Sequence, residues 1–390
     1  MKVKLKELGK ISTGNTPSKN VAEFYDSEDI GFVKPDVISD SQVDYIENTM
    51  EYLSEIARNK ARIVKKDAVF VTCVGSIGKI GIAKNKEFAF NQQINAIEPN
   101  EKVLPQYLAY GIFANKRKLH AIANAPVVPI INKTQFGDFE IEIIDDIQEQ
   151  LMIVEVLDKV SEIIVKRKAE LEKLDELIKA RFVEMFGDPI ENGMHWKQVP
   201  LSFCIERIEN GKSFVCDSEA RQGEGPAILK LSAVTYGFYR PKENKALLNE
   251  NQFVEEAAVR VSDLLFTRKN TPELVGMCAY VYDTPPKLMM PDLLFRLNTT
   301  PACNKVFLWK LINHDLFRGR IKAIATGSAK SMSNISKERL LNLEIILPPL
   351  EIQEQFAAFV EQIDKSKAAV QKALDQTQLL FDSLMQEYFG

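Results

Sequence analysis

The side chains best placed to recognise a ligand sit in polar, turn-rich strings beside apolar runs. Ser12-Thr13-Gly14-Asn15-Thr16-Pro17-Ser18-Lys19 combines several hydrogen-bonding side chains with a terminal lysine, and Phe32-Val33-Lys34-Pro35-Asp36-Val37 follows an expected strand. Asn91-Gln92-Gln93-Ile94-Asn95 places amides on another expected strand; amides pair bidentately with adenine edges. In the second half, Thr267-Arg268-Lys269-Asn270 and Thr326-Gly327-Ser328-Ala329-Lys330-Ser331 are comparable. Arginine and lysine suit guanine edges or phosphates, and serine and threonine suit either. The candidate nucleic-acid contacts are therefore Thr16, Ser18, Lys19, Lys34, Asp36, Lys79, Asn91 and Gln92, then Lys230, Ser232, Arg268, Lys269, Asn270, Arg296, Ser328, Lys330 and Ser331. Taken singly, each reads first as an ordinary solvated turn residue.

Catalytic constellations are harder to find. The three histidines (His120, His195, His314) lie far apart, outside any H-E-x-x-H string and away from neighbouring cysteines, which argues against a metal site. Gly75-Ser76-Ile77-Gly78-Lys79-Ile80-Gly81 lacks the phosphate-loop spacing and reads as a tight connection between strands. Pro35-Asp36 and Pro291-Asp292 are not followed by the acid-x-Lys that a Mg²⁺-dependent nuclease uses. Thr284-Pro285-Pro286-Lys287 and Leu347-Pro348-Pro349-Leu350 do not match the N-P-P-aromatic string of a base methyltransferase.

The 390 residues suffice for two or three domains, and 45% apolar with 27% charged content is ordinary for a globular chain. The longest apolar runs fall short of a membrane span, and the basic Met1–Lys6 stretch has no apolar core behind it, unlike a signal peptide. Five scattered cysteines without a C-x-x-C pair fit a reducing cytoplasm. The net charge is −4: residues 1–146 carry 19 basic and 20 acidic groups, 147–186 carry 7 and 9, 187–350 carry 21 and 18, and the last forty carry 3 and 7. The acid excess thus sits mainly outside the expected globular parts. Phosphate neutralisation supplies most non-specific affinity, so this chain alone would hold a duplex weakly and would rely on partners for positive surface.

The elements that must position the polar loops repeat. Ile147-Gln148-Glu149-Gln150 opens a long helical stretch closing on Phe186-Gly187, and Ile352-Gln353-Glu354-Gln355 opens a second that closes on Phe389-Gly390. The period is far longer than that of a solenoid, so it implies two similar domains. Residues 1–146 are expected to be strands and loops (68–71, 80–83, 139–143) with a helix near 105–122. Residues 187–350 repeat the plan (264–266, 277–281, 293–297, 343–347) with a helix near 304–324. Positions 153, 157, 160, 164, 167, 171, 174, 178, 181 and 185 are apolar except Arg167 and Arg181; positions 356, 360, 363, 367, 370, 374, 377, 381, 384 and 388 are apolar except Lys367 and Thr377. This spacing is a coiled-coil seam. Helices roughly 50–60 Å long exceed what one small domain covers, so mutual pairing is the expectation.

In this order, a set of strings resembles the specificity subunit of Type I restriction–modification enzymes over essentially the whole chain: Gly14-Asn15-Thr16-Pro17-Ser18, Gly75-Ser76-Ile77-Gly78-Lys79, Met185-Phe186-Gly187-Asp188-Pro189, Asp263-Leu264-Leu265-Phe266-Thr267-Arg268 with Glu273-Leu274-Val275-Gly276, Thr326-Gly327-Ser328, Asn334-Ile335-Ser336, and Ile346-Leu347-Pro348-Pro349-Leu350 with Gln353-Glu354-Gln355. The first half departs from the pattern, with Ile143-Ile144-Asp145-Asp146 for the Leu-Pro-Pro-Leu string and Ala125-Pro126-Val127-Val128 for the Thr-Gly-Ser turn.

The resemblance implies an α+β fold: target-recognition domains at 1–146 and 187–350, joined by antiparallel coiled-coil helices at 147–186 and 351–390 about a pseudo-two-fold axis. Each domain would read half of a bipartite, asymmetric sequence in double-stranded DNA, with half-sites about one helical turn apart. The chain itself would be non-catalytic and without cofactor. The helices would dock two modification (methyltransferase) subunits, through Gln148, Gln150, Phe186, Gln353, Gln355 and Phe389, and two restriction (motor-nuclease) subunits would join. Those partners would use S-adenosylmethionine, ATP and Mg²⁺, in the cytoplasm. Two other classes remain open at this level: a coiled-coil adaptor that binds no DNA and pulls down no methyltransferase, and a diverged methyltransferase or nuclease, which the missing motifs disfavour.

Overall fold

The computed structural model describes residues 1–123, 128–327 and 332–390. Its contacts divide into two units: Met1–Ala169 with Gln371–Gly390, and Glu170–Val370. Each therefore holds one mixed α/β body and a portion of both long helices.

In the first unit a five-stranded sheet runs in the order Gly9–Thr13, Ile94–Pro99, Val69–Thr72, Ile80–Ala83, Val43–Ile46, and a four-stranded sheet in the order Glu51–Leu53, Ile30–Val33, Phe88–Phe90, Ile63–Val64. Val69–Thr72, Ile80–Ala83 and Phe88–Phe90 are buried along their whole length. That is why they read as continuous apolar runs and not as alternating ones. The second unit repeats the plan in shorter form. Four strands run Ile205–Asn210, Leu294–Thr299, Leu264–Thr267, Cys278–Tyr280, and three run Asn244–Ala246, Ala227–Leu229, Leu288–Met289. In each unit a two-stranded ribbon, Lys2–Lys4 with Glu140–Glu142 or Lys197–Pro200 with Glu344–Leu347, leads towards the start of a long helix.

The single helices expected near 105–122 and 304–324 are each broken in two. Pro105–Ala114 and Lys116–Ala121 meet at Asn115, whose amide turns back to donate to Gly111 O at 2.9 Å. Lys305–Asn313 and Asp315–Ala323 meet at His314, which is extended (φ −65°, ψ 130°) and so interrupts the helical ladder. A side chain that bonds locally, or one residue leaving the helical region, stops a helix that apolar periodicity alone would continue.

The long helices span Ile147–Phe186 and Leu350–Phe389. Every seam position of either helix is buried or half-buried, whereas residues such as 168–170 and 379–380 are exposed. The polar breaks in the seam find partners. In the first unit Arg167 donates to Thr377 Oγ1 at 2.5 Å and to Ala373 O. In the second, Lys367 meets Asp175 at 2.5 Å and the Arg181 guanidinium lies over the Phe359 ring at 5.6 Å. Within the second unit, Asp175 faces Lys367 while Phe182, further along, packs on Phe356, so the two segments run antiparallel there. The helix C-termini anchor in opposite bodies: Phe186 packs among Phe182, Phe307 and Phe356 in the second unit, and Phe389 packs on Tyr107 at 5.0 Å in the first.

Hydrogen bonds at the helix starts correct the register of the repeat. Gln150 Oε1 accepts from Leu104 N and its amide donates to Lys102 O and Ile144 O; Gln353 Oε1 accepts from Asn304 N and its amide donates to Ala302 O and Pro348 O. Gln150 is the fourth residue of its Ile-Gln-Glu-Gln string and Gln353 the second of its own, so the two strings are not equivalent residue for residue. The separation from Gln150 to Gln353 also carries Phe186 onto Phe389, which places the repeat in one consistent frame.

That frame explains the departure at 145–146. Asp146 takes the place of Pro349, and its carboxylate accepts from Gln148 N at 2.8 Å, an N-terminal cap that does the work proline does by presetting its backbone.

Candidate nucleic-acid interface

In the first unit the polar loops leave one end of the sheets. Gly14 N donates to Ile94 O, Asn15 N to Phe90 O, and Asn91 N to Val33 O, and Thr16 Oγ1 meets Gln92 Oε1 at 2.7 Å. The backbone approach at Gly14 is so close that a Cβ there would lie 2.2 Å from Asn91 O, which excludes any other residue. Lys79 Nζ donates to Pro35 O at 3.0 Å, drawing the Lys34-Pro35-Asp36 segment towards the turn at 73–79. Sequence reading thus selected Thr16, Lys34, Asp36, Lys79 and Gln92 from strings remote in sequence that the fold joins. Ser18 and Lys19 lie exposed on the same loop as Thr16.

The second unit reproduces this geometry with different side chains. A Cβ on Gly211 would lie 2.1 Å from Pro291 O, Lys212 N donates to Met290 O, and Ser213 Oγ donates to Asp292 at 2.6 Å. Lys212, Ser213 and Asp292 therefore stand where Asn15, Thr16 and Gln92 stand in the first unit. Sequence reading did not single out these three as candidates; aligning Gly211 with Gly14 would have done so. Lys230, half-buried, opens the 230–240 loop as Lys34 opens its own, and Ser232 next to it donates to Glu243 at 2.7 Å.

Met277 N donates to Thr267 Oγ1 as Lys79 N does to Thr72 Oγ1, and Ile335 N to Arg268 O as Ile131 N does to Cys73 O. Arg268-Lys269-Asn270 thus replaces Cys73-Val74-Gly75. The Arg268 guanidinium lies 5.1 Å over the Phe295 ring, whereas burial pushes the Cys73 thiol up to about 12 and leaves that position uncharged at neutral pH. Ser328, Lys330 and Ser331 lie outside the described residues, as do Ala125, Pro126 and Val127.

Several expected contacts are internal. Arg296 is 4% exposed; it pairs with Glu209 at 2.6 Å and Asp263 at 2.9 Å and donates to Glu256 O and Ala258 O. A guanidinium so enclosed cannot meet a duplex, and the residue at its place in the first unit is Ala96. The amides of 91–93 form a turn and not a strand: Asn91 is buried, with both ends of its amide engaged by Gln93. Asn270 is also buried, bonding Thr235 Oγ1 at 3.1 Å and Thr271 N. Both asparagines fix loops and expose no edge. Lys34 is ion-paired with Glu51.

The expected partner contacts Gln150, Gln353, Phe186 and Phe389 are buried in the helix-start and aromatic packing described above. Gln148 and Gln355 are exposed.

A family model described as the Type I restriction modification DNA specificity domain matches residues 1–173 and again 207–377, and the chain belongs to that family. Among curated relatives, the Type I restriction enzyme EcoEI specificity subunit of Escherichia coli is 29% identical over 229 residues, 56% of this chain and 38% of that protein. The MjaIX specificity subunit of Methanocaldococcus jannaschii is 28% identical over 272 residues, 66% of this chain and 61% of that protein. The match spans less than two thirds of either relative. A solved Type-I restriction-modification system S subunit from M. genitalium has the same fold, with a TM-score of 0.62 at 13% identity over 100% of this chain and 96% of that one. A chain from a structure of type I R-M complex assembly aligns at a TM-score of 0.53 with 18% identity, over 100% and 97%.

Proposed function

We propose that this chain is the DNA-reading, non-catalytic subunit of a Type I restriction–modification complex, each unit reading one half of a bipartite, asymmetric target. The observation that carries this reading is the duplicated loop frame with divergent polar tips: Thr16–Gln92 against Ser213–Asp292, and Cys73-Val74-Gly75 against Arg268-Lys269-Asn270. A conserved frame with changed tips is what two half-sites of different sequence demand, since base edges are read by side chains held in register by a fixed scaffold.

The long helices serve in this reading as the spacer between readers and as the dock for two modification subunits, with Gln148 and Gln355 exposed upon them. Two restriction subunits complete the assembly, and the partners bring S-adenosylmethionine, ATP and Mg²⁺. Among the described residues no helix is long and apolar enough to cross a membrane, and a cytoplasmic setting follows from the DNA substrate. The acidic balance of −4 accords with positive surface supplied by the partners. The test is to assemble the chain with modification subunits and sequence the methylated products of a random duplex library. A two-part motif with an unread gap is expected; methylation without sequence preference, or no assembly, overturns the reading.

A further inference from the structure

The loop following Lys230 carries a group that neither the repeat nor the family match accounts for. The Arg240 guanidinium lies 4.7 Å from the Tyr236 ring centroid and 4.5 Å from that of Phe238. Both rings are about half exposed, at 53% and 47%. Among the described residues the Arg240 side chain has no hydrogen-bond or ion-pair partner.

The loop beneath is held firmly. Arg240 N donates to Ala233 O and Gly237 N to Val234 O, Trp309 Nε1 donates to Gly237 O at 2.8 Å, and Gly237 takes the left-handed φ of +85° that the turn requires. Thr235, one residue before Tyr236, accepts from the Asn270 amide and so ties this platform to the Arg268-Lys269-Asn270 segment. The stretch of the first unit that follows 35–37, Ile38-Ser39-Asp40-Ser41-Gln42, has no aromatic or basic residue, and Lys116 holds its Asp40 carboxylate at 2.7 Å.

We infer that Tyr236, Phe238 and Arg240 form a preset base-reading clamp, through which the second unit takes a guanine of its half-site. The inference rests on the function proposed above. An arginine stacked on aromatic faces has a rigid donor fork with little rotamer freedom left to lose, and that fork matches guanine O6 and N7. Continuity with the cationic 268–270 segment, and the absence of a counter-charge on the clamp, favour a duplex over a protein surface. The second half-site therefore contains a G·C pair read by Arg240, and the first unit has no such reader.

The experiment uses the full chain assembled with its modification subunits and a duplex library randomised across the target, at fixed salt. Wild type, Arg240→Ala, Arg240→Lys and the double variant Tyr236→Ala/Phe238→Ala are compared, with sedimentation reporting assembly. Discrimination at one G·C pair of the second half-site is expected to fall on the order of ten- to hundredfold for both Arg240 variants, and by less for the double variant, with the first half-site unchanged. Wild-type-like discrimination in Arg240→Ala overturns the clamp, and a uniform loss of affinity at every position assigns Arg240 to phosphate and overturns it as well. Unchanged discrimination with impaired assembly makes the platform a protein contact and also overturns it. A wild-type complex without sequence preference sinks the function itself, whereas a bipartite wild type with silent Arg240 variants sinks only the clamp.

Discussion

The two units build one frame and fill it with different chemistry. In the first, the position after the buried Thr72 is a neutral cysteine, and the lysines at hand are partly spent within the fold, Lys34 on Glu51, Lys79 on Pro35 O and Lys116 on Asp40. In the second, the same backbone position is Arg268, and Lys269, Lys212 and Arg240 lie on neighbouring loops. The contrast extends into the core: Ala96 pairs across the first sheet, whereas Arg296 fills that place in the second with a buried ion network. Backbone hydrogen bonds define where a loop goes and leave its tip free to vary, so a duplicated frame can hold unequal readers.

The largest effect should come from breaking the core difference. Arg296→Ala leaves the Asp263 carboxylate buried without its ion-pair partner, while Glu209 keeps Arg207 at 2.5 Å, a change expected to cost about 3–5 kcal/mol. Hydrogen exchange should accelerate across 205–210 and 294–299 and not across the first sheet; equal acceleration in both would refute the assignment of Arg296 to the second core.

Next come the helix starts, where the units are alike. Gln353→Ala and Gln150→Ala each remove three hydrogen bonds in a buried corner. Each should lower stability by roughly 1–3 kcal/mol in denaturant melts, and a large inequality between them would undo the register proposed for the repeat.

Arg268→Ala tests the tips directly. It should weaken binding of the second half-site by about 1–3 kcal/mol and leave the first untouched, as read by methylation of half-site variants. Loss at both half-sites would contradict two independent readers.

The smallest effect is on pH. Burial lowers the His314 imidazole below its ordinary value, outweighing Asp315, while Lys179 lowers it further and Asp188 opposes. A base with a depressed folded value binds its proton more readily when unfolded. The stabilisation it preserves is therefore present above about pH 6.5 and shrinks as pH falls below that. The thermal midpoint should drop on acidification from pH 7 to pH 5, and less so in His314→Gln; an identical slope in the variant would assign the drop to other groups.

What was legible in the sequence divides by physical cause. The coiled-coil seam could be read because burial on one helix face is a local periodicity, and its polar exceptions at Arg167 and Lys367 proved to have partners across the pair. The strings at 12–19, 32–37 and 91–95 could be picked out by residue type, but type does not report burial. Arg296 and Arg268 look alike as arginines near apolar runs, and only the strand pairing that encloses one and leaves the other at a sheet end separates them. Lys212, Ser213 and Asp292 were missed because nothing local marks them; the close backbone approach at Gly211 does.

Sequence by itself determined the duplication, the two long helices, and the residue types available for recognition, since each follows from local pattern and composition. Tertiary structure decided the frame of the repeat, through Gln150 and Gln353, and which charges are sealed in a core or offered at a loop tip. Burial and hydrogen-bond partnership depend on chain segments far apart in sequence, 87 residues for Arg296 and Glu209, and no local pattern encodes that meeting.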